Sequence, residues 1–515
     1  MSTLTYILGW PLVAALIVAV IPRHFRFGIR LVALAATLLS MLLAVKAFWQ
    51  FSAGTAGYQF VQKVTWVESL GISYHVGADG INIGLILMGA VVAFAAACVS
   101  WEIETRHKEF YILLLVMTGG ILGAFCSLDL FFFFFFHELA LIPTFIMIGV
   151  WGRGENRNYA TFQITLYLSL GALIALIGLI ALYLEAGGQT FDIELLTQQL
   201  AANPVARQTQ HLIFPFLLFG FGILVSLWPF HTWAPLGYGS APTATAMLHA
   251  GVLKKFGLYG LIRVAIPLLP EAARSWMVVL AVLSLGNLLH VGLVAMRQRN
   301  LNLLIGNSSV AHMGFAFLGL ASLSLIGATG TVLVMIAHGF LAALTFALSG
   351  YLYRQTRTLE MGEMGGLLRR LPFIGTAFTM AALAGCGLPG FANFVGEVMV
   401  FFGAWAPLSA VTVLAVWSGL IIGGVYMLRA VRQILHGPAL SRWEGVRDAD
   451  DPWRRLPFAL LLGCLLVFGV VPRLLTDKIR PAVERVVALV NETGPAAGAA
   501  VRTAQAEPAA RPIPR

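Results

Sequence analysis

The chain has 515 residues, 59% of them hydrophobic and only 11% charged, with a formal net charge of +10. Soluble domains carry about one quarter charged residues, so this composition excludes a soluble enzyme and leaves a membrane protein. The positive balance calls for no nucleic acid, because Lys and Arg gather in the short cytoplasmic loops of multispan proteins.

Apolar runs of about 17 to 25 residues recur along the whole chain, the length a helix needs to cross about 30 Å of hydrocarbon, whereas barrel strands would alternate. The fold class is therefore an all-α polytopic membrane protein. In chain order the runs predict helices over 5–22, 29–49, 81–100, 110–128, 130–151, 160–184, 211–229, 241–265, 276–296, 303–322, 324–352, 372–403, 407–430 and 456–473, about fourteen spans. The first lacks a basic leader and a small-residue cleavage site, and Arg23, Arg26 and Arg30 follow it, which marks it as a retained span. Those arginines, together with Arg106, Arg153, Arg297, Arg369, Arg432 and their neighbours, crowd the loops of one side. The other side's short connections hold only Lys46, Lys63, Arg207, Arg263 and Arg274. Both termini are thus expected on the outer side of the membrane. The Ala-, Pro- and Arg-rich end reads as a disordered tail. The organisation that follows is 1–105 (three spans), 106–270 (helices 4–8), 271–435 (helices 9–13), 436–480 (helix 14) and 481–515 (tail).

Some familiar patterns carry no chemistry here. GCGLPG at 385–390 fits a dinucleotide fingerprint, but no strand precedes it and it lies within a membrane span. HELAL at 137–141 begins like a zinc-protease helix, yet Leu141 stands where the second histidine ligand belongs. Cys98, Cys126, Cys386 and Cys464 are far apart in apolar runs and form no metal or redox motif. No cofactor site is expected in this chain.

The charges inside the spans are more telling. An ionisable side chain at mid-bilayer costs about 3 kcal/mol even on the lenient insertion scale, so such residues face a protein interior or a wet cavity and mark ion paths. Glu138 sits in the middle of FFFFFFHELALIPTF in the fifth span. Lys254, Lys255 and His249 share the eighth, His312 is in the tenth, His338 in the eleventh and Glu397 in the twelfth. A membrane histidine also serves as a simple bond between helices, and a buried carboxyl can be purely structural. Adjacent Lys254 and Lys255 point about 100° apart, so one of them is expected to face inward. Pro229, in SLWPFHTWAP with His231, and Pro389, in CGLPGFANFVGE, interrupt the seventh and twelfth spans. Paired broken helices at corresponding places point to two inverted five-helix repeats with an ion path between them.

CSLDLFFFFFFHELALIPTFIMIGVWG, WPFHTWAPLGYGSAPTATAMLHAGVLKKFGLYGLIR, IGNSSVAHMGF and GLPGFANFVGEVMVFFGA resemble the antiporter-type membrane subunits of respiratory complex I, most closely subunit M of the bacterial NADH:quinone oxidoreductase. Mrp-type Na⁺/H⁺ antiporters and membrane-bound hydrogenases use similar subunits. The resemblance runs from about 60 to 475. It implies fourteen helices, two inverted repeats and proton pumping driven by quinone reduction elsewhere in the complex. NADH, FMN, iron–sulfur clusters and quinone would then belong to partner subunits. The partners are the other membrane-arm subunits, further antiporter-like ones among them, and the lipid bilayer.

Position by position, the resemblance implies proton transfer by Glu138, Lys255, His249, His338 and Glu397, with His137, Lys254, His312 and His231 as secondary candidates. Two departures stand out. The family's lysine seven residues before the histidine of the PxHxW segment, the partner of the fifth-helix glutamate, is Leu224 here. DLKRLIAYSS is replaced by NLNLLIGNSS, with Asn300 and Asn302 in place of an acid and a lysine. His137 or His249 could stand in for the missing lysine, although the 100° offset from Glu138 disfavours His137. Two other readings stay open: an Mrp-type antiporter or hydrogenase-associated subunit, and a structural spacer that keeps the fold without pumping.

Overall fold

The computed structural model describes residues 1–492 apart from Ala56 and Ala439. Twelve of its helices are long and apolar enough to cross a membrane: Thr3–Val20, Arg26–Gln50, Ile83–Glu102, His107–Cys126, Leu130–Trp151, Arg157–Glu185, Arg207–Val225, Pro270–Arg297, Leu301–Ala321, Leu325–Thr356, Ser409–Leu435 and Pro452–Val470. Two further crossings are interrupted. One runs from Thr243 to Leu268 through two widened π-helical turns, His249–Leu253 and Leu261–Ala265; the other is Pro372–Gly385 followed by Ala392–Trp405. With these two, the crossings match the fourteen expected spans to within a few residues, and they are numbered one to fourteen below.

Helices that are apolar all round belong in the middle of a bundle. Thus the eleventh span is buried along its whole apolar window and the tenth along 94% of it, whereas the thirteenth and fourteenth bury 29% and 28%. Local signals start the helices. Asp129 caps the fifth span by accepting from the Phe131 and Phe132 N–H groups. Asn300 caps the tenth through Asn302 and Leu303, so the asparagine that replaces the family's acid retains a capping carboxamide oxygen.

Where the spans break, side chains from other helices satisfy the freed backbone, as burial in an apolar setting demands. Ser226 has φ +73, and the Trp228–Pro229 peptide is cis. Asn287, on a π-helical turn of the ninth span, accepts from the Trp228 N–H at 2.8 Å and donates to the carbonyls of Ser226 at 2.9 Å and Val310 at 3.1 Å. In the twelfth span, Gly387 and Gly390 take φ +68 and +99 on either side of Leu388 and Pro389.

Two elements were not expected from the sequence. An antiparallel hairpin, β1 (Gln59–Val67) and β2 (Ile72–Ala78), covers one end of the bundle, close to a short helix, Ile193–Ala202. The tail expected to be disordered from 481 instead continues a helix, Arg473–Glu492. Leu475, Ile479, Ala482, Val483 and Val490 bury one stripe of it. That 3.6-residue stripe lies under a composition rich in Arg, Ala and charged residues, which masked it. Residues 493–515 lie outside the described part.

Candidate functional site

The widened turn His249–Leu253 closes with the Lys254 N–H donating five residues back to the His249 carbonyl at 3.0 Å. Lys255 follows directly and is fully buried. Its Nζ donates to the Ala250 carbonyl at 2.6 Å and lies 2.8 Å from His338 Nδ1. An ammonium can donate to a bare Nδ1, or an imidazolium N–H to a neutral amine, and the two states differ by one proton shift across that contact.

From His338 the groups continue toward the broken twelfth span. The rings of His338 and His312 are 5.5 Å apart. His312 Nδ1 lies 2.8 Å from the Ser308 carbonyl and Nε2 lies 3.2 Å from that of Gly385, where the first half of the broken span ends. Its Nε2 is also 3.8 Å from Glu397 Oε1, which has no hydrogen-bond partner among the described residues. A Cβ on Gly387 would stand 2.6 Å from Glu397 Oε2, so glycine at this turn serves both its backbone angle and the approach of the carboxylate. A cavity of about 10 Å³, lined in part by His312, Glu397, Gly385 and Tyr426, adjoins the pair. One water needs about that space.

The structure brings Lys255, His338, His312 and Glu397 into this line and leaves other candidates beside it. Lys254 is buried as well, contrary to the expectation that only one of the two lysines faces inward. The eighth span is enclosed by protein on all sides, so a 100° rotation moves a side chain from one helix contact to another and not to lipid. Lys254 Nζ donates to Ser309 Oγ at 3.2 Å and sits 5.6 Å above the Tyr238 ring. His249 is not joined to Lys255: its Nδ1 lies 3.1 Å from the Tyr238 hydroxyl and its ring meets Trp233 edge-on. His231 pairs with His290 at the seventh-span break, ring centres 5.9 Å apart, away from the line.

Glu138 lies on the rim, 31% exposed, and His137 Nδ1 is 3.2 Å from its Oε1. The phenylalanines around it divide: Phe133 and Phe136 are buried, while Phe135 is exposed. Leu224 is buried in the apolar core of the seventh span.

Hairpin-end charges are arranged differently. Arg263, expected in a loop, is buried within the eighth span and grips Asp79 with two hydrogen bonds, Nη1 to Oδ2 at 2.8 Å and Nη2 to Oδ1 at 2.6 Å. Burial pushes the Asp79 carboxyl up, but the Arg263 guanidinium and the Ile81 and Asn82 N–H groups outweigh it and hold the group below its usual range. Asp192 accepts from Lys63 at 2.6 Å and from His75 Nδ1 at 2.9 Å. Burial again acts upward there, and the His75 and Lys63 bonds prevail, lowering it to about 2. Sequence reasoning missed Asn287, Tyr238, Ser309 and the Asp79–Arg263 pair. A lone Asn, Asp or Arg in or beside an apolar run was the available signal.

Residues 127–423 match the family described as NADH:quinone oxidoreductase/Mrp antiporter, transmembrane. The chain is 34% identical over 530 aligned positions to NAD(P)H-quinone oxidoreductase chain 4 2 of Synechococcus sp. (strain JA-2-3B'a(2-13)), covering 98% of this chain and 97% of that one. It is 34% identical to NAD(P)H-quinone oxidoreductase chain 4 of Gloeobacter violaceus, over 95% and 93% of the two chains. Among solved structures, a chain of respiratory complex I from Thermus thermophilus superposes with a TM-score of 0.86 at 28% identity, covering 95% of this chain and 99% of that one. A chain of the Mrp complex from Dietzia sp. DQ12-45-1b shares the fold, with a TM-score of 0.82 at 21% identity over 95% and 97% of the two chains.

Proposed function

Because the chain belongs to the NADH:quinone oxidoreductase/Mrp antiporter family of membrane proteins, we propose that it is the proton-translocating M-type membrane subunit of a respiratory NADH:quinone oxidoreductase. One observation carries this reading: Lys255, His338, His312 and Glu397, four titratable side chains from four spans, follow one another across the buried middle of the bundle. A proton held on Lys255 Nζ passes to His338 Nδ1 over 2.8 Å. The His312 ring relays it to the Glu397 carboxylate beside the small cavity. The break in the twelfth span adjoins the route, and the paired breaks at Pro229 and Pro389 support the two inverted five-helix repeats read from the sequence.

The chain itself carries no redox centre in this reading. NADH, FMN, iron–sulfur clusters and quinone belong to other subunits, and quinone reduction there drives the proton steps here. The hairpin end and both termini face the outer side of the plasma membrane, and the arginine-rich loops face the cytoplasm. Proton uptake by the assembled complex in sealed vesicles tests the reading, with the parent compared with Lys255→Ala and Glu397→Gln at matched assembly and electron-transfer rate. Loss of pumping in both variants supports it. An undiminished proton yield in both would leave the chain as a structural spacer of the membrane arm.

A further inference from the structure

The family resemblance leads one to expect a lysine at Leu224 as the partner of the fifth-span glutamate, and the cationic side chains nearest the line are engaged elsewhere. Lys254 donates to Ser309, Lys255 faces His338, and His249 faces Tyr238. Among the described residues, His137 alone reaches the carboxylate, at 3.2 Å. Its ring is 2% exposed and is held flat against Phe256, centroids 4.0 Å apart and planes 24° apart; Phe133 stacks on Phe256 at 4.2 Å. Phe256 adjoins Lys255 in sequence. The clamp fixes the imidazole so that one edge meets Glu138 at the rim while its face abuts the helix that carries the central lysine. The flexible glutamate side chain closes the 100° offset that disfavoured this contact in the sequence.

The position also suits a substitute. Phe221 in the seventh span meets Phe133 at 6.2 Å and Phe256 at 5.9 Å. Leu224 lies one turn beyond Phe221 on the same face, and His137 one turn beyond Phe133 on its own. Successive spans alternate in direction, so the fifth and seventh run parallel and both turns advance the same way. We propose that His137 is the charge partner of Glu138 and performs within one helix what a seventh-span lysine would perform between two. In its charged form the pair is imidazolium and carboxylate. Transfer of the Nδ1 proton to Oε1 breaks one N–H bond, forms one O–H bond and leaves both groups neutral, so the pair can switch between charged and uncharged forms beside Phe256.

This inference rests on the pumping role above, and its test separates the two. Proton yield is measured in sealed vesicles for the assembled complexes carrying Lys255→Ala, Glu138→Gln, His137→Phe, the Glu138→Gln/His137→Phe double variant and His137→Phe/Leu224→Lys. The expected result is a loss in His137→Phe equal to that in Glu138→Gln, no further loss in their double variant, and recovery on adding Leu224→Lys. A lysine at 224 restores charge but cannot restore packing at 137, so recovery excludes a purely structural role. Parent-level pumping in His137→Phe while Lys255→Ala fails would overturn the inference and keep the pumping role. Additive losses in the Glu138/His137 double variant would also overturn it. Should Leu224→Lys fail to assemble, the infrared carbonyl band of Glu138, assigned through Glu138→Gln, gives a second measure. The band must shift in His137→Phe, and an unmoved band sinks the pairing.

Discussion

Arg263 and Lys255 lie about two turns apart on one span and are both buried, yet their surroundings are opposite. Arg263 is held by a carboxylate through two hydrogen bonds and flanked by the rings of Tyr58 and Tyr259. Lys255 has a backbone carbonyl and an imidazole, and no acid among its hydrogen-bond and ion-pair partners within the described residues. Guanidinium does not give up its proton in proteins, whereas a buried ammonium readily does. At the hairpin end the charge is fixed and structural. In the middle, in the proposed reading, it leaves from the Lys255 amine.

The largest effects come from breaking each side of that contrast. Arg263→Ala leaves Asp79 buried without its partner and is expected to destabilise the assembled chain by about 3–5 kcal/mol. Thermal unfolding and yield would report it. Lys255→Arg keeps a positive charge but removes the mobile proton, so pumping should vanish while the unfolding temperature stays near that of the parent. Equal destabilisation by both substitutions would erase the distinction.

A smaller effect concerns pH. Asp192 falls from an ordinary 3.8 to about 2 in the folded chain. A lowered folded-state value means the contribution, about 2 kcal/mol, is complete above about pH 4 and is lost as pH falls toward 2. Hydrogen exchange in β1 and β2 should accelerate over that window in the parent, and the window should disappear in Asp192→Asn. Asn287→Leu strands the Trp228 N–H and two carbonyls at the seventh-span break, at a cost of about 1–3 kcal/mol in thermal unfolding. Gly387→Ala forces a positive φ on a side chain, about 1–2 kcal/mol, and sets a methyl against Glu397. It should slow pumping more than it lowers stability, and proton yield against melting temperature would separate the two.

Much of the fold was legible because the bilayer leaves a chain few options. Runs of hydrocarbon long enough to span it become helices, and Pro229 and Pro389 mark where two of them break. The hairpin was not legible, since its strands alternate weakly and are stabilised by what they cover. The helix Arg473–Glu492 was hidden for a related reason: its composition resembles a tail, and only its buried stripe shows that it packs. In the site, single charged letters in apolar runs singled out Lys255, His338 and Glu397 as candidates, and Glu138 beside them. Sequence could not say that His312 stands between the last two, that His249 turns away toward Tyr238, or that both lysines are enclosed.

By itself, then, the sequence determined the number of crossings, the places where helices break and the identities of the ionisable groups, because hydropathy, proline chemistry and charge are properties of single residues and short windows. Tertiary structure decided which of those groups touch. Proton transfer depends on separations of about 3 Å, and such separations arise from helices far apart in the chain: Lys255 meets His338 across 2.8 Å, while Lys254, its neighbour in sequence, meets Ser309.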